Sequence, residues 1–209
     1  MGIYKKLIEM SARPTGRAGR LMLWFMNLSH TPMAKWHISL IDWHGVGTIL
    51  DEGCGGGKNI QRMLKCCPTA QVYGIDYAEE SVRASRKLND YALGKRCFIE
   101  QGNALSLAFE DGKFDLVTAF ETVYFWPDLP KAFSETYRVL KAGGRFVFSY
   151  GDRENKVMAS WEEQIESMRL LPIDDVVQML TDAGFRQVEV KQKGAAFHVQ
   201  GVKPATTTC

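Results

Sequence analysis

The stretch that most constrains this chain is Ile49-Leu50-Asp51-Glu52-Gly53-Cys54-Gly55-Gly56-Gly57-Lys58, an apolar run that turns into an acid and then a glycine-rich bend. Such a pattern reads as a buried strand whose C-terminal end must turn sharply into a helix, leaving backbone N–H groups exposed at the turn. In open α/β sheets, ligands sit in the crevice outside the carboxyl ends of the strands. The remainder of the chain is therefore read around this bend.

Three glycine-loop chemistries compete for the stretch, and spacing separates them. The dinucleotide fingerprint G-x-G-x-x-G fails in both frames, because its last glycine falls on Lys58 when counted from Gly53 and on Ile60 when counted from Gly55. The phosphate loop G-x-x-x-x-G-K-[ST] would need a glycine at Glu52 and a hydroxyl at Asn59. What fits is acid-x-Gly-x-Gly-x-Gly in Asp51, Gly53, Gly55 and Gly57. On these residues the chain resembles the class I S-adenosylmethionine-dependent methyltransferases, whose first motif is this pattern at the end of the first strand. The resemblance is nearest to the small-molecule group that includes ubiquinone and menaquinone C-methyltransferases. It implies S-adenosylmethionine as cofactor, with Asp51, Gly53, Cys54 and Gly55 against its methionine and ribose parts.

A chain of 209 residues makes one ordinary domain. The formal net charge of +2 argues neither for nor against a polyanionic partner. Residues 1–45 carry six Lys/Arg against Glu9 and Asp42, so the basic excess is N-terminal. The five cysteines, Cys54, Cys66, Cys67, Cys97 and Cys209, are an odd set without zinc-type spacing, which reads as reduced thiols. No apolar run approaches the roughly 18–20 residues of a membrane span. Lys5, Lys6, Arg13, Arg17 and Arg20 stand where a signal peptide would need an apolar stretch, so a cytoplasmic location is expected.

Before the first strand, Leu21 to Leu28 reads as a buried helix ended by Pro32, and a second helix is expected from Met33 to Trp43 with Trp36, Leu40 and Trp43 on one face. The resemblance implies that such helices form a lid over the active site. His30, His37 and His44 are spaced by sevens, which invites a metal reading. Seven helical residues rise about 10.5 Å while the ligands of one ion converge to about 2 Å, so no metal site is expected. Of the three, His30 lies where a lid would meet substrate.

Beyond the bend, a strand over 71–75 ends in Asp76 and Tyr77, 25 residues beyond Asp51. From a strand tip an acid can accept both hydroxyls of a ribose, although Asp76 also stands where it can cap the helix that follows. The resemblance gives Asp76 the cofactor ribose, Tyr77 the adenine face, and Gly102-Asn103-Ala104 the adenine edge, with Asn103 where relatives usually carry an acid. An amide oxygen accepts the same hydrogen bond without charge assistance, which lowers the expected affinity. After a strand over 114–120 comes Glu121-Thr122-Val123-Tyr124-Phe125-Trp126. By resemblance Phe120 borders the methionine part of the cofactor, and this loop faces substrate. The chain lacks the Asn/Asp/Ser-Pro-Pro-aromatic signature of nucleic-acid amino-methyltransferases here, so a flipped-base substrate is disfavoured. Glu121 can orient a substrate, hold the cofactor or act as a base, or be only a capping acid. Glu121 and Tyr124 are the candidate catalytic residues, and the aromatic triplet fits either a pocket wall or core packing.

A helix over 129–140 capped at Gly143-Gly144, a strand over 145–150, helices over 160–168 and 173–183, and strands over 187–192 and 196–202 complete the pattern. The expected fold is α/β, a doubly wound, mostly parallel seven-stranded sheet of the Rossmann-like methyltransferase type with an N-terminal helical lid. The expected divisions are 1–46 for the lid, 47–203 for the cofactor-binding domain and 204–209 for a tail. The reaction implied is methyl transfer to a small-molecule acceptor. A methyltransferase acting on RNA or protein, and a non-catalytic module that binds S-adenosylmethionine, remain as alternatives.

Overall fold

The computed structural model describes residues 31–205 together with the isolated positions 16, 19 and 22. The rest of the helix expected over 21–28, His30, the N-terminal arginines and Cys209 lie outside the described residues. Helix α1 (Thr31–Ser39) precedes strand β1 (Thr48–Glu52), followed by α2 (Lys58–Cys66), β2 (Gln71–Asp76), α3 (Glu79–Leu88), β3 (Cys97–Gln101) and β4 (Phe114–Ala119). Then come α4 (Leu129–Val139), β5 (Leu140–Gly151), α5 (Lys156–Gln164), α6 (Ile173–Asp182), β6 (Arg186–Lys193) and β7 (Ala196–Val202). Among the described residues no helix is long and apolar enough to cross a membrane.

The strands form one seven-stranded sheet in the order β3-β2-β1-β4-β5-β7-β6, parallel except that β7 runs antiparallel to both β5 and β6. The chain moves outward from β1 to β3 and then returns to lay β4 on the other side of β1, so the strand order reverses between β1 and β4. That reversal opens the crevice in which an α/β sheet holds ligands. Strand period separates the two faces of the sheet. Ile49, Leu116 and Val147 pack with Ile38, Ile60 and Met63 under α1 and α2. Leu50, Val117, Phe146 and Phe148 pack with Phe133 and Leu180 of α4 and α6 on the opposite face.

Three element boundaries differ from the sequence expectation, each for a local reason. Helix α1 ends at Ser39, whose hydroxyl donates to the Trp36 carbonyl at 2.7 Å and competes with the helical pattern. Its buried face is Ala34, His37 and Ile38, continued by Ile41, while Trp36, Leu40 and Trp43 are only partly covered. Helix α4 stops at Val139 without a glycine cap: Leu140 is already extended, and Lys203 Nζ donates to the carbonyls of Tyr137 (2.8 Å) and Leu140 (2.7 Å). Gly143 has φ +79° within the irregular start of β5, where its N–H donates to the Lys203 carbonyl. Helix α5 begins four residues earlier than its apolar spacing implies, because the Asn155 side chain caps it by accepting from Val157 N–H at 3.0 Å. Ile165 and Met168 are buried beyond its end.

Alternation along β1 has a second consequence. Asp51 shares a face with Ile49, whereas Glu52 points with Leu50 into the α4 side, where it is fully buried. Among the described residues its hydrogen-bond partner is Thr136 Oγ1, 3.2 Å from both carboxyl oxygens. The same Thr136 oxygen lies 3.0 Å from the Ala132 carbonyl, and a hydroxyl has one hydrogen to give. If that hydrogen goes to Ala132, the remaining bond requires a protonated Glu52 that donates to Thr136. Burial pushes the Glu52 carboxyl well above its ordinary 4.5, with the Asp51 and Glu135 charges adding to it against the Thr136 hydrogen bond. A carboxyl raised on folding contributes stability that is present below pH 4.5 and is lost as pH rises toward its folded pKa. Urea unfolding at pH 5 and pH 8 should show Glu52→Gln gaining stability relative to the wild type as pH rises, and parallel pH dependences would refute a neutral buried Glu52.

Candidate active site

The site forms where β1 and β2 end beside the strand reversal. Asp51 is paired with Thr118 in register, and Thr118 Oγ1 donates to Asp51 Oδ1 at 2.7 Å across the β1–β4 boundary. Burial pushes the Asp51 carboxyl up to about 7, against the Thr118 hydrogen bond and with the Asp76 charge adding to it. The glycine bend follows. Gly53 has φ +72°, and a Cβ there would fall 2.3 Å from Thr122 Oγ1. Gly57 has φ +77°, and a Cβ there would meet Ser85 Oγ at 2.3 Å. Both positions therefore require glycine for conformation and for space. Beneath the bend, Asn89 Nδ2 donates to the Gly57 carbonyl at 3.1 Å and to the Ser85 carbonyl at 2.9 Å. Gly55 differs, since a Cβ at that position would meet nothing within 4 Å. The bend thus rests on packed side chains below and leaves open space above Gly55.

Asp76, at the tip of β2, joins the bend to the next helix. Its Oδ2 accepts from Gly55 N–H at 2.8 Å and its Oδ1 from Ala78 N–H at 2.9 Å. The cap suggested by the sequence is therefore present. It leaves the carboxylate able to take a ligand, because Gly55, Ala78 and the Ser81 hydroxyl together use three of its four lone pairs. Burial raises this carboxyl, opposed by the two N–H donors and the Ser81 hydroxyl. Tyr77 stands beside it, 58 % exposed. Gly102 N–H donates to the Asp76 carbonyl at 3.1 Å, which brings the 102–104 loop to the same rim. There the Asn103 oxygen accepts from Leu105 N–H at 2.9 Å, so one of its lone pairs is used locally, while Ala104 is buried.

Past β4 the chain is held in an unusual conformation. Glu121 has φ +59°, which a residue with a side chain rarely adopts. Two hydroxyls clamp it there. Ser149 Oγ accepts from Glu121 N–H at 2.6 Å and donates to Glu121 Oε1 at 2.9 Å, and Tyr124 donates its phenolic hydrogen to Oε2 at 2.9 Å. Burial raises the Tyr124 hydroxyl well above 10, and the Glu121 charge raises it further, so Tyr124 acts as a donor at neutral pH. The two candidate catalytic residues are thus one hydrogen-bonded unit.

Phe120, immediately before, is buried, and its ring lies 5.3 Å from that of His37 at 22°. His37 is the histidine that the structure brings to this rim, while His44 lies exposed in the turn before β1. Sequence spacing did not single out Thr118, Ser149, His198, Ser85 or Asn89. The first three carry one readable signal, a polar residue flanked on both sides by apolar ones within a strand. Their partners lie too far away in the chain for any local pattern to name them.

An open sheet of this order, with a glycine bend after β1, an acid at the tip of β2 and a polar loop after β4 around one crevice, is the arrangement that the resemblance to the class I S-adenosylmethionine-dependent methyltransferases implies. Residues 50–148 match the family model described as "Methyltransferase domain". The chain is 32 % identical over 166 residues to a malonyl-[acyl-carrier protein] O-methyltransferase of Geobacter sulfurreducens, covering 73 % of this chain and 61 % of that one. It is 28 % identical over 185 residues to the ubiquinone/menaquinone biosynthesis C-methyltransferase UbiE of Dinoroseobacter shibae, covering 75 % and 74 %. A solved O-methyltransferase family protein from Burkholderia thailandensis shares the fold with a TM-score of 0.81 at 19 % identity, over 90 % of this chain and 60 % of that one. The chain spans between 29 % and 61 % of the length of the first curated relatives it matches. Together these matches support a class I S-adenosylmethionine-dependent methyltransferase near the quinone methyltransferases, and S-adenosylmethionine is the cofactor of that class.

The clamp on Glu121 gives a measurable expectation. Ser149→Ala removes an acceptor from a strained N–H and a donor from a carboxylate, and should cost about 1–3 kcal/mol in urea unfolding. Tyr124→Phe should cost less, about 1 kcal/mol, because only one bond to Glu121 is lost. Wild-type stability in Ser149→Ala would show that the clamp does not hold the loop.

Proposed function

We propose that this chain transfers a methyl group from S-adenosylmethionine to a carbon or oxygen atom of a small-molecule acceptor. The observation that carries this reading is the tie between Gly55 and Asp76, which sets an open glycine backbone and a partly buried carboxylate side by side at the strand reversal. In this reading the remaining lone pair of Asp76 accepts from a ribose hydroxyl, and the exposed ring of Tyr77 covers one face of the adenine. Gly102, Asn103 and Ala104 border its edge, Gly53, Cys54 and Gly55 lie along the methionine and ribose, and Asp51 and Phe120 close the methionine end. When bound, the cofactor supplies an electrophilic methyl group on a sulfonium sulfur, so the protein's part is alignment and exclusion of water. Asp51, Asp76 and Glu121 give this rim an acidic character that suits a cationic cofactor. Glu121 and Tyr124 form the side turned to the acceptor, with Tyr124 as hydrogen donor and Glu121 as the anion it holds. The relatives include a malonyl-[acyl-carrier protein] O-methyltransferase and a ubiquinone/menaquinone biosynthesis C-methyltransferase, which supports both oxygen and carbon as acceptor atoms.

The reading is tested by calorimetry and by product. Asp76→Ala should weaken S-adenosylmethionine binding by about 1.5–3 kcal/mol, for loss of hydrogen bonds to a charged group. An unchanged affinity in a folded variant would remove Asp76 from the site. Incubating the wild-type chain with S-adenosylmethionine and a small-metabolite extract should yield S-adenosylhomocysteine above a protein-free control. Binding without any such product would leave a cofactor-binding module in place of an enzyme.

A further inference from the structure

The described residues 102–113, which cross from β3 to β4, form no helix, whereas the crossovers from β1 to β2, β2 to β3 and β4 to β5 each carry one. Backbone groups that neither helix nor sheet pairs must find partners elsewhere. At the start of this crossover they find them close by. Gly102 N–H donates to the Asp76 carbonyl at 3.1 Å, Leu105 N–H to Asn103 Oδ1 at 2.9 Å and Ser106 N–H to the Asn103 carbonyl at 3.0 Å. From Leu107 onward the partners come from α4.

Glu135 and Arg138 stand three residues apart on that helix, so their side chains are neighbours. Glu135 Oε2 accepts from Leu107 N–H at 2.8 Å. Arg138 donates through Nη2 to the Leu107 carbonyl at 2.9 Å and through Nη1 to the Phe109 carbonyl at 2.7 Å. Its other donors go to Asp111 Oδ1 at 2.7 Å and to the two Glu135 oxygens at 3.0 Å each. A guanidinium has five N–H groups in a fixed fork, and these acceptors use all of them. The bond from Arg138 holds the Glu135 carboxyl below its ordinary 4.5 against burial, with Leu107 N–H adding to it, so the pair is ionised at neutral pH.

The N–H and the carbonyl of Leu107 are thus both taken by one ion pair, and the Leu107 side chain is buried in the cluster that contains Phe133 of α4. The turn before it is gripped at two ends, by the Asp76 carbonyl at Gly102 and by Glu135 and Arg138 at Leu107. Between the grips stands Asn103, exposed, on the turn that the cofactor reading sets at the adenine edge. Its Oδ1 already accepts from Leu105 N–H, so the amide is oriented by the turn itself. Where the turn lies therefore decides where that amide lies.

We propose that Glu135 and Arg138 are positioning residues for cofactor recognition, holding the 103–107 turn from behind so that it distinguishes adenine from other purine bases. The proposal rests on the methyltransferase reading and adds the residues that set its base specificity. Both act through Leu107. Adenine offers an amino donor and a bare ring nitrogen where hypoxanthine offers a carbonyl and a ring N–H. A turn held in place matches the first pattern and leaves unpaired groups against the second.

The test is calorimetry on the full chain with S-adenosylhomocysteine and S-inosylhomocysteine, for the wild type, Arg138→Lys and Glu135→Gln. The wild type should bind the adenine ligand at least about tenfold more tightly, for a matched hydrogen bond exchanged against a mismatch. Arg138→Lys keeps the charge but brings three donors to five acceptors. It should lower the ratio below about threefold by weakening the adenine ligand, with S-inosylhomocysteine within about twofold of its wild-type affinity. Glu135→Gln can still accept from Leu107 N–H but loses one side of the ion pair, and should lower the ratio in the same direction by less. A purely structural role would move both affinities together, so equal weakening of the two ligands, or an unchanged ratio, overturns the proposal. Should Arg138→Lys fail to fold, an unchanged ratio in Glu135→Gln overturns it in the same way. A wild type that binds both ligands equally removes the proposal alone. A wild type that binds neither ends the methyltransferase reading and the proposal with it.

Discussion

The geometry of the candidate site depends on one partly buried carboxylate. Asp76 accepts from Gly55 N–H and from Ala78 N–H, and so ties the glycine bend after β1 to the start of the helix after β2. Without that tie the bend would keep its floor, where Asn89 and Ser85 pack under Gly57, but would lose the contact that turns Gly55 toward the crevice. The carboxylate is tolerated in this partly buried position because each oxygen accepts a hydrogen bond, with one lone pair to spare. A group that is structurally satisfied and still able to accept is suited to holding a ligand without reorganising.

The two acids of β1 illustrate how the same sequence neighbourhood serves two ends. Asp51 and Glu52 differ by one residue and therefore by one face of the sheet. Asp51 meets Thr118 at the strand reversal and titrates near neutrality, beside the proposed cofactor groove. Glu52 meets Thr136 under α4, where burial pushes its carboxyl well above the ordinary range. The electrostatics of the crevice are thus set by which carboxyls the pleat sends to it. Farther along, the Glu121 clamp holds a positive φ that its own residue type does not favour, using hydroxyls from Tyr124 and Ser149. Strain of this kind persists only when surrounding contacts determine it, and such positions concentrate at functional sites.

Much of the fold was legible in the chain itself. Apolar runs, glycine spacing and the order of strands and helices specify a seven-stranded doubly wound sheet, and strand β7 falls on the residues that alternation indicates. Helix ends were less legible where a distant or unanticipated side chain did the capping. Lys203 closes α4 from the far end of the chain, and Asn155 opens α5 ahead of its apolar spacing. The aromatic triplet at residues 124–126 could not be read as pocket or core from sequence. In the structure Tyr124 belongs to the core, packed near Tyr150 and bonded to Glu121.

By itself the sequence determined the fold class, the glycine bend and the acid at the tip of the next strand, because these are set by local spacing and by period. Only the tertiary structure decided which polar residues meet. Ser149 reaches Glu121 across 28 residues, and His37 meets His198 across 161. Sequence spacing had pointed to His30 and treated His37 as one member of a repeat, since no periodicity relates a helix ahead of the sheet to the last strand within it. The contact exists because β7 is inserted antiparallel beside β5, which sets His198 opposite Ser149, and because α1 packs on that same face.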